Sequence, residues 1–97
     1  MTIKEFKEEI ITDKDLKILD VRMPEEFVGN LNKIPNAINI PVQQLSLRVD
    51  ELDPFKGNRI AVICRSGVRS RAAVAILKEN GFNAINVDGG MLAYAEK

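Results

Sequence analysis

The sequence predicts an α/β domain built on a mainly parallel sheet, and three observations predict it. Short apolar segments of strand length alternate with helix-spaced segments along all 97 residues. The most apolar of them, Arg59-Ile60-Ala61-Val62-Ile63, has no polar alternation after Arg59, the pattern of a strand covered on both faces. No repeat, low-complexity tract or Pro/Gly/Ser-rich linker divides the chain, which reads as one domain over residues 1–97.

The elements follow in order. Thr2 with Glu5 three residues on forms a capping box, and Ile3, Phe6 and Ile10 are helically spaced, so a helix is expected over residues 3–11. Thr12-Asp13-Lys14-Asp15 is a polar turn, and Lys17-Ile18-Leu19-Asp20-Val21 a short strand. Pro24 opens a short helix whose acids, Glu25 and Glu26, suit its N-terminal end; Gly29 and Asn30 stop it. Ala37-Ile38-Asn39-Ile40-Pro41 is a second strand. Val42, Leu45, Val49 and Leu52 mark a helix over residues 42–52, after which Pro54 and Gly57-Asn58 break the chain. After the strand over residues 59–63, Cys64 to Arg69 form a loop. An Ala-rich helix then covers residues 70–78, with Gly81 as its C-cap. Ala84-Ile85-Asn86-Val87 is a further strand, and Asp88-Gly89-Gly90 turns into a last short helix holding Met91 and Tyr94.

Composition excludes several function classes. Fourteen Lys+Arg balance fourteen Asp+Glu, so there is no global basic field for nucleic acid. The absence of His excludes Cys-His and Ser-His pairs and His-based metal sites. The lone Cys64 makes neither an internal disulfide nor a Cys-rich zinc site, so no metal is expected. The longest apolar run falls far short of the roughly 20 residues that cross a bilayer. The charged, amphipathic start Met1-Thr2-Ile3-Lys4-Glu5-Phe6-Lys7 is unlike a signal sequence, and a cytoplasmic protein is expected.

One residue carries the chemistry. Cys64 stands at the carboxyl end of the strongest strand and just before a helix, where open α/β sheets bind ligands. Gly67 allows a tight loop whose consecutive N–H groups form an anion nest. The helix N-terminus and the charges of Arg65 and Arg69 favour thiolate over thiol, with no imidazole required. Taken alone, a free Cys is more often a small buried hydrophobe; the run Cys64-Arg65-Ser66-Gly67-Val68-Arg69 ahead of a helix favours the reactive reading. Arg69 has two open roles, drawing in an anion or pairing with a carboxylate such as Asp20. Ser70 either donates a hydrogen bond or caps the helix.

Four ordered segments resemble the single-domain rhodanese (thiosulfate sulfurtransferase) family over nearly the whole chain. They are Ile18-Leu19-Asp20-Val21-Arg22-Met23-Pro24-Glu25-Glu26-Phe27, Ile34-Pro35-Asn36-Ala37-Ile38-Asn39-Ile40-Pro41, Val62-Ile63-Cys64-Arg65-Ser66-Gly67-Val68-Arg69-Ser70 and Val87-Asp88-Gly89-Gly90-Met91. The resemblance implies a compact three-layer domain with a central, mainly parallel sheet of four to five short strands flanked by helices. It also implies a cysteine that carries sulfur as a persulfide, without a cofactor. The chain departs from the family at Gly29-Asn30-Leu31, where Gly-His-Ile is common, at Asn36, where Gly is usual, and at Tyr94, where Trp is common.

The expected reaction is double displacement. Cys64 takes the outer sulfur of a small anionic donor such as thiosulfate and passes it to a thiol, to cyanide or to a sulfur-accepting protein; no nucleic acid or membrane partner is expected. Arg65, Ser66, Gly67, Val68 and Arg69 are the expected substrate-binding loop. Asp20, Arg22 and Ser70 are its expected supports. The alternatives are a sulfur-carrier or partner-docking module and a cysteine phosphatase of the same fold. Phosphatase loops place one more residue between Cys and Arg than the four between Cys64 and Arg69, so that Ser70 occupies the phosphatase Arg position.

Overall fold

The computed structural model describes residues 1–28 and 34–96, so the expected stop at Gly29 and Asn30 lies outside the described residues, as does most of the Gly29-to-Asn36 departure. Four strands form one sheet, β1 (Lys17–Asp20), β2 (Ile38–Asn39), β3 (Arg59–Ile63) and β4 (Asn83–Asn86), in the order β2-β1-β3-β4. Every neighbouring pair is parallel. The helices are α1 (Ile3–Thr12), α2 (Pro24–Phe27), α3 (Val42–Arg48), α4 (Val68–Glu79) and α5 (Gly90–Ala95), with a 3₁₀ segment at Val49–Phe55.

The sheet is buried on both faces, as the apolar run of β3 requires. Ile60, Val62 and Cys64 point to one side and pack with Leu45 of α3, Leu52 of the 3₁₀ segment, and Ala73 and Leu77 of α4. Ala61 and Ile63 point to the other side and meet Phe6 of α1 and Met91 of α5. The three expected layers are therefore present. Tyr94 packs in the layer of α1 and α5, meeting the Phe6 ring edge-on at 5.9 Å.

Several element boundaries differ from expectation: β2 is two residues long rather than five, β4 spans Asn83–Asn86 rather than 84–87, and the shifts at α3 and α4 have local reasons. The helix expected over residues 42–52 is α-helical only to Arg48 and continues as 3₁₀ turns through Pro54 to Phe55. Pro54, expected to end the segment, lies inside it. Helix α4 starts two residues earlier than expected, at Val68, because Gly67 occupies the N-cap with φ +103°. Ser70 thus lies within the first turn rather than at the cap. The capping box of Thr2 and Glu5 is present, and the Gly81 N–H returns to the Lys78 carbonyl just past the C-cap Asn80. Asn36, where the family commonly has Gly, adopts φ +68°, a left-handed conformation that Asn tolerates better than most residues.

The order β2-β1-β3-β4 sends the connections after β1 and β3 in opposite directions. This reversal makes a switch point at the carboxyl ends of β1 and β3, where open α/β sheets bind ligands. Cys64 lies on one side of it. The other side is built by a fully buried ion pair. The Arg22 Nε and Nη2 groups donate to the Asp20 carboxylate at 2.7–3.0 Å, and the Arg22 backbone N–H donates to the same group at 3.0 Å. Both side chains are 1% exposed. The Asn39 amide donates to the carbonyls of Asp20 and Arg22, joining the end of β2 to the same turn. Removing one member leaves the other charge buried without a partner, the expensive way to break such a pair. Asp20→Ala is therefore expected to lower stability by about 3–5 kcal/mol. Urea unfolding should show this as a lower midpoint at unchanged slope.

Candidate active site

The loop between β3 and α4 is short, and its backbone is oriented from outside. The Met91 N–H donates to the Cys64 carbonyl at 2.7 Å, and the Leu92 N–H donates to the Arg65 carbonyl at 3.0 Å. Both donors belong to the first turn of α5, whose amides have no partner within the helix. In a trans peptide the C=O and the following N–H point in opposite directions. Drawing the two carbonyls toward α5 therefore turns the N–H groups of Arg65 and Ser66 away from α5. Gly90 permits the approach. A Cβ there would lie 2.3 Å from the Cys64 carbonyl oxygen and 2.6 Å from that of Arg65, and its φ of +58° is itself unfavourable for other residues.

The sulfur lies among the inward amides. The Gly67 N–H donates to Cys64 Sγ at 3.0 Å, and the Ser70 hydroxyl lies 3.4 Å from it. Cys64 is 1% exposed, yet its sulfur meets polar hydrogens rather than hydrocarbon alone. Burial is the largest single influence on the thiol and raises its pKa. The Ser70 hydroxyl and the N–H groups of Ser70, Gly67 and Ser66 together outweigh it, so the pKa falls below its ordinary value. The orphan amides at the start of α4 are in this way satisfied by sulfur.

The two loop arginines have different surroundings. Arg69 forms a bidentate pair with Glu26 of α2, at 2.6 and 2.7 Å. The Asp20–Arg69 pair left open by the sequence does not form, because Asp20 is taken by Arg22. Glu26 serves the helix N-terminus as expected, accepting from the N-cap Met23 N–H at 3.3 Å, and in addition ties α2 to α4. Arg65 is exposed and, among the described residues, makes no ion pair. Ser66 and Val68 are exposed beside it, while Gly67 and Ser70 are buried. Asp20 and Arg22 form a buried structural pair at the end of β1. Among the described residues no cluster of His, Cys, Asp or Glu could hold a metal ion, and no helix is long and apolar enough to cross a membrane.

Two residues that contact the loop around the sulfur were not singled out by sequence reasoning as site residues. Asn86, at the end of β4, accepts the Ser70 hydroxyl on Oδ1. Gly90 was read only as part of a turn. The signal for Asn86 lay in the sheet register: it pairs with Val62, two residues before Cys64 and on the same face.

The model of the Rhodanese-like domain family matches residues 2–97. The chain belongs to the rhodanese-like domain family. Among curated relatives, "Putative sulfurtransferase YtwF" of Bacillus subtilis is 38% identical over 97% of this chain and 92% of its own length. "Putative sulfur carrier protein YrkF" of the same organism is 36% identical over 100% of this chain, which spans 51% of that protein. Of solved structures, a rhodanese-related protein from Thermoplasma volcanium superposes with a TM-score of 0.85 at 35% identity, over 97% of this chain and 87% of that one. A rhodanese-like domain protein from Staphylococcus aureus gives 0.84 at 37% identity, over 100% and 91%. The parallel sheet with helices on both faces is thus the rhodanese-like fold.

Two outcomes are expected from this geometry. Gly90→Ala forces a Cβ into two carbonyl oxygens and should cost at least about 2 kcal/mol while raising the thiol pKa, read by urea unfolding and by the pH dependence of thiol alkylation. The second concerns acid. The Arg69 guanidinium, the largest influence, holds the Glu26 carboxyl at about 2 against the ordinary 4.5. A carboxyl depressed on folding stabilises the protein above its unfolded value, and that contribution fades as pH falls from 4.5 through about 2. The stability difference between wild type and Glu26→Gln should therefore shrink across that interval, in unfolding curves collected at successive pH values.

Proposed function

We propose that this chain is a sulfurtransferase in which Cys64 carries the sulfur as a persulfide. The observation that carries the reading is the Gly67 N–H donating to Cys64 Sγ at 3.0 Å in a loop whose carbonyls are turned outward. Such a site stabilises negative charge on the sulfur at rest, and on a second sulfur attached to it. The names of the Bacillus relatives agree with sulfur transfer and sulfur carriage.

Thiosulfate is the proposed donor. The Cys64 thiolate attacks the outer sulfur; a new S–S bond forms, the bond to the sulfonyl sulfur breaks, and the electron pair leaves with sulfite. Charge balances, since thiolate and a dianion give a persulfide anion and a dianion. A cyanide or thiolate acceptor then attacks the outer sulfur and restores the Cys64 thiolate. The inward amides of Ser66, Gly67 and Ser70 stabilise the persulfide's outer sulfur. A dianionic donor must approach a thiolate against like-charge repulsion, and the exposed Arg65 offsets it. Arg69 serves differently: its charge is matched by Glu26, so it anchors the first turn of α4 and adds a weaker field at the sulfur. Asp20 and Arg22 support the loop from the end of β1. No cofactor takes part. The chain works as a single domain, in the cytoplasm, where thiol acceptors are plentiful and a free Cys stays reduced.

A phosphatase reading needs an arginine free to grip a phosphoryl group. Arg69 is engaged by Glu26, and Ser70 stands in the phosphatase Arg position with its hydroxyl beside the sulfur.

The test is direct. Cys64→Ser should abolish sulfur transfer from thiosulfate to cyanide, and mass spectrometry under non-reducing conditions should find one extra sulfur atom on thiosulfate-treated wild type. Transfer by the serine variant, or an unmodified mass, would overturn the proposal. Arg65→Ala should raise KM for thiosulfate by roughly tenfold or more, an interaction of a charged group. Arg69→Ala should act mainly on stability.

A further inference from the structure

The hydroxyl of Ser70 has one proton and two neighbours that want it. Cys64 Sγ lies 3.4 Å away on one side, and Asn86 Oδ1 accepts from it on the other. Which neighbour receives the proton follows from a third group. The Asn86 Nδ2 amide donates to the Asp88 carboxylate at 3.3 Å. A carboxylate only accepts, so the NH2 group of Asn86 faces Asp88 and its carbonyl oxygen faces Ser70. That oxygen cannot donate. The Ser70 proton therefore points to Asn86, and the sulfur meets a lone pair of the Ser70 oxygen. A thiol can donate to that lone pair, whereas a thiolate is repelled by it.

We propose that Asn86 is a positioning residue for Cys64: by holding the Ser70 hydroxyl proton while the sulfur is a thiol, it tempers the acidity that the cradle gives the sulfur. Ionisation then sends the thiol proton to solvent, and the Ser70 O–H bond turns from Asn86 Oδ1 to the sulfur. The swing strengthens the cradle around the thiolate at the expense of one hydrogen bond to Asn86. Asn86 thus sets how readily the nucleophile forms without touching it. This inference rests on the reading of Cys64 as the sulfur-carrying thiolate.

Of the charged groups around the sulfur, only Asp88 loses a hydrogen bond on substitution at Asn86, and the Ser70→Ala background controls for that loss. The others are Arg65 in the loop, Arg69 on α4 with Glu26 from α2, and the Asp20–Arg22 pair after β1. Asp88 lies after β4, with the Met1 amino group 3.9 Å from it. Met1 also donates to the Asn86 backbone carbonyl, a bond no side-chain change removes.

The experiment is the pH dependence of Cys64 alkylation by iodoacetamide in the whole chain. Asn86→Ala frees the Ser70 proton for the sulfur and should move the midpoint to lower pH by roughly 0.5 to 1, the size of one hydrogen bond. Asn86→Leu, which fills the same space without an acceptor, should do the same and guards against a folding defect in the alanine variant. In a Ser70→Ala background neither change should move the midpoint. A midpoint that stays or rises on removing the Asn86 amide overturns the proposal, and so does an equal fall without Ser70. Alkylation reads the thiol itself, so the two failures are distinct: no persulfide from thiosulfate overturns the sulfur-transfer reading, and with it the catalytic use of this effect, whereas an unmoved midpoint overturns the Asn86 proposal alone.

Discussion

Two backbone hydrogen bonds orient the whole site: the first amides of α5 take the carbonyls of Cys64 and Arg65. Peptide planarity does the rest, since a carbonyl held outward leaves the following N–H no choice of direction. The anion cradle is therefore not a property of the Cys64 loop alone. It is imposed by a helix more than twenty residues later in the chain, brought alongside because β4 lies next to β3. The requirement for Gly at position 90 follows from the same approach, and that for Gly at position 67 from the left-handed turn that aims its amide at the sulfur.

Around this centre the charges are divided by task. Asp20 with Arg22, and Glu26 with Arg69, are structural pairs, one fully buried and one half-buried. Each ties an element of the β1 side to its surroundings, and each neutralises a cation. Arg65 remains as the exposed charge at the entrance. The acidity of the sulfur thus comes from dipoles acting against burial, with one unpaired cation among the described loop residues, in a chain without histidine.

Much of this was legible in the sequence, because the decisive signals are local. The apolar run of β3, the Cys at its end, Gly67 and the Ala-rich segment locate the sulfur at a strand-to-helix junction without reference to the rest of the chain. The α/β class with its parallel sheet was legible from alternation, the layered domain from the family resemblance, and the Thr2–Glu5 box from spacing alone. What the sequence concealed is long-range. The partner of Arg69 is 43 residues away, and several carboxylates were chemically equivalent candidates. Asn86 becomes a neighbour of Ser70 only once β4 is known to pair with β3 in the observed register. The early start of α4 belongs to the same class. Ser70 has the chemistry of a cap, but its hydroxyl is engaged by sulfur and Asn86, and the Gly67 backbone takes the cap instead.

The central claim is that amides and a hydroxyl, acting against burial, hold Cys64 more acidic than an ordinary thiol. The most direct measurement is the ¹³Cβ chemical shift of labelled Cys64 in the wild-type protein, followed by NMR as pH is raised. The account predicts an inflection below about 8.5, the value of an unperturbed cysteine. An inflection at or above that value would mean that burial prevails over the cradle, and would contradict it.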